Sequence, residues 1–118
     1  MDLRLRTHKN IHILDVAGEM DLYNAGKLRT VFSGLVDRQI KVIIVNLEKV
    51  TYIDSSGIGV LINVFSIAKQ KKLSMKITNV SGTVKKVLEL TRLYGFLPIA
   101  GTVEDTVRAF EEGPQGTV

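Results

Sequence analysis

Residues Val50–Phe65 read VTYIDSSGIGVLINVF. An apolar run breaks into Asp54, Ser55, Ser56 and Gly57, admits Gly59, and turns apolar again. Read as local structure, this is the end of a strand, a short turn and the start of a helix. An acid and two hydroxyls stand where a helix cap is needed, because the first amides of a helix have no partner within it. The helix expected from Ser56 to Lys71 is unusual in its balance. At 100° per residue, Gly59, Asn63, Ser66 and Gln70 share one narrow stripe. Apolar residues fill the rest, an arc of about 220° by helix geometry. A surface helix ordinarily needs little more than a 100° apolar stripe. This helix is therefore either nearly enclosed or carries apolar flanks for a partner. Ile58 and Ile62 border the polar stripe and are the flank residues expected to show.

Upstream of this stretch, Lys41–Leu47 (KVIIVNL) is a nearly continuous β-branched run. Such a run reads as a strand covered on both faces. The loop Val50–Ser56 would then leave its carboxyl end, the edge where open α/β sheets place ligands. Before it, Leu3, Leu5 and Thr7 alternate with Arg4, Arg6 and His8, and Ile11–Val16 returns after a turn at Lys9-Asn10. The pair is an N-terminal hairpin that Gly18 is expected to end. Leu22, Ala25, Leu28, Val31, Phe32 and Leu35 recur at threes and fours, which predicts a helix over 22–36 capped by Asp21.

Downstream, Leu73–Val80 alternates as a strand, and Ser81 caps a third helix with Val84, Val87, Leu88 and Leu90 inward. A loop turns at Gly95, a short strand follows at Ile99–Ala100, and Thr102 caps a last helix carrying Val103, Val107 and Phe110. The expected fold is α/β. Its sheet is mixed, of four or five strands, and the hairpin supplies the antiparallel part. Residues 1–112 form the domain, and 113–118, polar and rich in Gly and Pro, form a flexible tail.

Composition bounds the chemistry. The chain has 118 residues and no Cys, so disulfides and thiolate metal sites are excluded. No leader pattern opens the chain, and the longest apolar stretch, Ile58–Ala68, is too short and interrupted to span a bilayer. A cytoplasmic protein with no membrane segment is expected. The net charge is +4. The basic residues read as scattered, without interleaved aromatics or Trp, so direct nucleic-acid binding is not expected. The excess favours an acidic protein partner through steering.

Two readings of the serines remain open on these grounds. They are a helix cap and nothing more, or a site for a phosphate. Phosphorylating Ser56 would add about −1.5 to −2 charges beside Asp54 while leaving the helix in place. A hydrolytic serine needs an adjacent base, and the only histidines, His8 and His12, lie on the hairpin. The G-x-S-x-G elbow is absent, because Asp54 stands at its first Gly. No phosphate-cradling G-x-x-x-x-G-K-[ST] loop occurs. Neither an enzyme, a metal site nor a cofactor is expected.

The run VNLEKVTYIDSSGIGVL resembles the signature of the STAS domain family, specifically the bacterial anti-sigma factor antagonists. VAGEMDLYNAGKL, with Glu19 and Asp21, resembles the family's earlier G-E-x-D motif, and the C-terminal segment from Val84 to Phe110 resembles its last helix-loop-helix. The resemblance implies a sheet with helices packed mainly on one side. It also implies a partner, an anti-sigma factor that is itself a serine kinase and brings the ATP. The unphosphorylated form binds that partner and frees the sigma factor. Phosphorylation of the second serine, here Ser56, ends binding, and a serine phosphatase resets it. On this reading Asp21, Asp54, Ser55, Ser56, Gly57, Ile58, Gly59 and Ile62 form the partner surface. The alternative within the family is a scaffold or transport accessory that uses the same surface without phosphate. Asn46 stands where many members carry Asp, and a neutral amide there is expected to bond the backbone with little effect.

Overall fold

The structure, a computed structural model, describes residues 1–112; the expected tail at 113–118 lies outside them. Strand β1 (Asp2–His8) pairs antiparallel with β2 (Ile11–Met20), joined by a turn in which Lys9 takes φ 56°. β3 (Val42–Ile53) and β4 (Ser74–Thr78) add in parallel, giving the order β1-β2-β3-β4. Helices α1 (Gly26–Asp37), α2 (Ser55–Lys71), α3 (Gly82–Leu90) and α4 (Val103–Glu112) follow in turn. The expected fifth strand is reduced to one bridge, Ile77 to Ile99.

The alternation along the strands sorts side chains to two faces. Leu14, Val16, Ile43, Val45 and Leu47 join Leu28, Phe32, Leu61, Val64, Val84 and Leu88 in the main core, under α1, α2 and α3. Ile11, Ile13 and Ile44 face the other way and pack with Val103, Val107 and Phe110 of α4. One helix on the far face is enough to make β3 apolar on both sides, so one-sided cover by three helices and a doubly buried strand coexist. Glu111 ties α4 to the hairpin through His8 (2.9 Å) and Lys9 (3.0 Å).

Several boundaries differ from expectation. Gly18 does not end the hairpin; at φ 93° it accommodates the register irregularities in β2, and the strand runs on to Met20. β3 likewise continues to Ile53, so the expected loop Val50–Ser56 shrinks to Asp54. Helix α1 begins at Gly26, not Leu22. The Asp21 carbonyl accepts from the amides of Asn24 (3.2 Å) and Ala25 (2.9 Å), and Asn24 Oδ1 accepts from the Asp21 amide (2.9 Å). The side-chain bond from Asn24 back to the Asp21 amide fixes this segment as a turn ahead of the helix. Leu22 is therefore exposed, and so is Leu90, which stands 78% exposed at the end of α3 while Val84 and Leu88 are buried. Ser81 precedes α3 without a side-chain cap bond, whereas Thr102 Oγ1 accepts from the Asp105 amide (3.0 Å).

Asn46 does more than bond the backbone. Its Oδ1 accepts from the Glu48 amide (3.2 Å), Thr78 Oγ1 (3.3 Å) and Asn79 Nδ2 (2.9 Å). Its Nδ2 donates to Asp15 Oδ1 (2.8 Å), whose carboxylate also takes two bonds from Arg6 (2.6 and 3.1 Å). Burial pushes the Asp15 pKa up, but the bonds from Arg6 and Asn46 outweigh it and hold the carboxyl below its ordinary value.

Candidate functional site at the tip of helix α2

β3 passes into α2 through a single residue. Asp54 is extended (φ −109°, ψ −171°), and its amide donates to the Met20 carbonyl (3.2 Å). Its Oδ1 accepts from the amides of Ser56 (2.8 Å) and Gly57 (3.1 Å), and its Oδ2 accepts from the amide of Leu22 (3.1 Å). Asp54 is thus the N-cap, and it ties the serine tip to the turn between β2 and α1. The amides of Ser56 and Gly57 are occupied by Asp54, so the tip is not an empty anion cradle. A charge added at Ser56 would meet the Asp54 carboxylate rather than free amide donors.

Ser55 is exposed and Ser56 half-buried. Among the described residues the only side-chain N or O atom that is both sealed and unpartnered is His12 Nδ1, so the Ser56 hydroxyl is not a sealed, unpartnered group. Gly57 and Gly59 divide into two kinds. Gly57 is buried, and a Cβ there would lie 2.5 Å from the Met20 carbonyl oxygen and 2.7 Å from Ile53 Cγ1. It lets α2 rest on the end of β2. Gly59 is exposed, and a Cβ there meets nothing within 4 Å. Ile58 and Ile62 are half-buried, packed against the core with one side outward. Asp21 sits in the neighbouring turn, its Oδ1 accepting from the Tyr23 amide (3.0 Å).

The turn adds what the sequence reading missed. Leu22 is 71% and Tyr23 91% exposed, and Tyr52, two residues before Asp54, is 46% exposed. Among the described residues, three of the six large apolar side chains that stand exposed thus lie close to the serines in the chain or through the Asp54 bridge. Leu22 falls on helical spacing, which predicts an inward side chain; the Asp21–Asn24 bonding at its turn has an acid and an amide three apart as its trace in the sequence. His12 opens β2, while Met20 at its other end touches Asp54, a span of roughly 25–30 Å at strand rise. A serine nucleophile here has no imidazole in reach. Among the described residues no group of three His, Cys, Asp or Glu is placed to hold a metal, and no helix is long and apolar enough to cross a membrane. A groove of about 1000 Å³ runs beside β1 past Arg4, Arg6 and Lys27, and the serines do not line it.

A four-stranded mixed sheet with helices on both faces, and a helix tip capped by Asp54 at the end of β3, defines a small α/β domain. The family follows from comparison with known proteins: the model described as STAS domain matches residues 2–106, and the chain belongs to that family. The anti-sigma-B factor antagonist of Bacillus subtilis is 28% identical over 108 residues, covering 92% of this chain and 98% of that protein. The anti-sigma factor antagonist SpoIIAA in its unphosphorylated form superposes with a TM-score of 0.78 at 21% identity, covering 95% of this chain and 97% of its own. The phosphorylated form of SpoIIAA, a Bacillus cell fate determinant, gives 0.73 at 20% identity, over 92% and 99%. At such identities the two structures speak for the fold.

Proposed function

We propose that this protein is a phosphorylation-switched anti-sigma factor antagonist. Unphosphorylated, it binds an anti-sigma factor that is also a serine kinase, and the sigma factor is released. The kinase moves the γ-phosphoryl group of its own ATP to Ser56 Oγ, ADP leaves, and the hydroxyl proton passes to a base of the kinase. A serine phosphatase reverses the step. The protein needs no cofactor of its own and works in the cytoplasm. The observation that carries the reading is a half-buried Ser56 at a helix tip capped by Asp54, which is bonded to the turn that holds the exposed Leu22 and Tyr23. The names of the Bacillus subtilis relative and of SpoIIAA, the latter solved with and without phosphate, support it.

The switch works by charge and shape. A phosphoserine brings about −1.5 to −2 charges. Placed beside Asp54 at a desolvated contact, it leaves unpaired charge in the complex. The fold need not move. Incubation with the kinase and ATP, followed by mapping of the modified residue by mass spectrometry, tests the site; modification elsewhere with Ser56 untouched refutes it. Ser56→Asp is expected to weaken partner binding by about 2 kcal/mol or more. Equal affinity of Ser56→Asp and wild type would favour the constitutive scaffold instead.

A further inference from the structure

Beyond the tip, α2 carries a second feature. Ile58, Ile62, Phe65 and Lys69 repeat at four, three and four residues and fall within about 60° of one another around the helix. The first three are half-buried and Lys69 is exposed. The far end of this flank is built up by the loop after α3. Phe96 meets Phe65 edge to face at 5.7 Å between centroids and is 51% exposed. Lys69 Nζ lies 4.6 Å from the Phe65 centroid and 5.4 Å from that of Phe96, and Lys85 Nζ lies 5.5 Å from that of Tyr94, two residues before Phe96. Within residues 69–92 there are seven Lys and Arg against the single acid Glu89, an excess of +6 in a chain whose net charge is +4. Scattered along the whole chain, the basic residues thus have a local excess here, although Lys76 lies on the opposite face of the sheet beside Phe110.

We propose that this aromatic and lysine flank, from Ile58 to Lys69 with Phe96 and Lys85, is the second half of the docking surface and takes an acidic segment of the protein partner that binds the Ser56 tip. The inference rests on the partner reading above and extends it. Charge selects the occupant. Ammonium groups held over aromatic rings keep an outward side for carboxylates, and half-exposed Phe96 is the type of rigid aromatic that anchors interfaces. Reach allows one partner to cover both parts. Ser56 and Lys69 are about 20 Å apart along the helix. A standard interface of about 800 Å² per partner is a patch about 30 Å across. The lysine end lies outside the immediate field of Ser56 at physiological salt, where charges are screened over about 8 Å. It therefore adds affinity and encounter rate that phosphorylation does not cancel directly.

The test compares wild type, Ser56→Asp, Phe96→Ser and the double variant Lys69→Glu/Lys85→Glu, each checked for native circular dichroism. Calorimetry measures binding to the serine-kinase anti-sigma factors of the same genome. The charge reversal is expected to weaken binding about tenfold at 50 mM salt and less than about threefold at 0.5 M. Phe96→Ser is expected to weaken it about tenfold at both salts. If Ser56→Asp loses binding while the flank variants bind like wild type, the flank proposal falls and the switch stands. If Ser56→Asp binds like wild type while the flank variants lose affinity, the switch falls and the flank stands. A partner-free arm uses fluorescence anisotropy with a 12-residue polyglutamate and with (dT)12. Peptide binding that the charge reversal abolishes supports the acidic occupant. Preference for (dT)12, or no peptide binding to wild type, overturns it.

Discussion

The two glycines of the tip give a paired experiment with opposite expected signs. In Gly57→Ala the new methyl would sit 2.5 Å from the Met20 carbonyl oxygen, 2.7 Å from Ile53 Cγ1 and 2.9 Å from Met20 Cβ. The closest of these is backbone, held in place because the same carbonyl accepts from Asp54, so no rotamer change relieves it. Overpacking of this kind costs about 1–3 kcal/mol, and the upper end is expected here. In Gly59→Ala the methyl enters open space on an exposed helix position, where glycine is about 0.8–1.0 kcal/mol worse than alanine. Gly59→Ala should therefore stabilise the fold by that amount and raise Tm by about 3–5 °C. Gly34 in α1 is also exposed with nothing within 4 Å and serves as the control, with a similar gain expected. The functional arm separates the two helix glycines. If Gly59 is kept so that a kinase can come close to Ser56, its alanine variant is more stable yet slower to be phosphorylated, while Gly34→Ala keeps the wild-type rate. Urea denaturation and a single-turnover phosphorylation assay read both quantities. A Gly57→Ala protein as stable as wild type, or a Gly59→Ala protein less stable than wild type, refutes the packing argument; an unchanged phosphorylation rate in Gly59→Ala refutes the approach argument.

Other perturbations follow from the same geometry. Asp54→Ala removes the acceptor for three amides and should cost about 1–2 kcal/mol in urea denaturation, with Asp54→Asn recovering most of it. Asn46→Asp would set a second carboxylate against Asp15, replacing the 2.8 Å donor bond with repulsion, and should cost about 1–3 kcal/mol at pH 7. That loss should shrink as the pH falls and the new carboxyl, its pKa raised by Asp15, is protonated; equal cost at pH 7 and pH 4 would refute it. In the wild type, Asp15 has a lowered pKa, so its contribution is present above the ordinary value of 3.8 and is lost as the pH falls below it. The stability advantage of wild type over Asp15→Asn should therefore fade below that pH. Leu22→Ser with Tyr23→Ser, at positions that stand outside the core, should leave Tm within about 2 °C and weaken partner binding at least tenfold if this turn is part of the surface.

Much of this was legible in the sequence because periodicity and capping are local. The β-branched run of Lys41–Leu47 marked a strand covered on both sides, and α4 supplies the cover that three helices on the other face cannot. The motif at Asp54–Gly57 marked the helix start, and Asp54 alone performs the capping. What the sequence did not carry was set by contacts between distant segments. Leu22 has helical spacing, yet the Asp21–Asn24 turn and the bond to Asp54, 32 residues on, hold it outside. Gly57 and Gly59 are alike as letters; only the position of Met20 makes one a packing requirement and leaves the other free. Asn46 reads as a minor exchange until Arg6, Asp15, Thr78 and Asn79 converge on it.

The passage from β3 to α2 through one residue has a consequence for time. There is one residue between strand and helix, and Asp54 is bonded to both Met20 and Leu22, so the tip is tied directly to the end of β2. On the proposed switch, whatever the domain remembers is written in the phosphoserine ester at Ser56. The duration of that memory is then fixed by how fast an outside enzyme erases the ester, and a cell can lengthen or shorten it without altering a single residue of this chain.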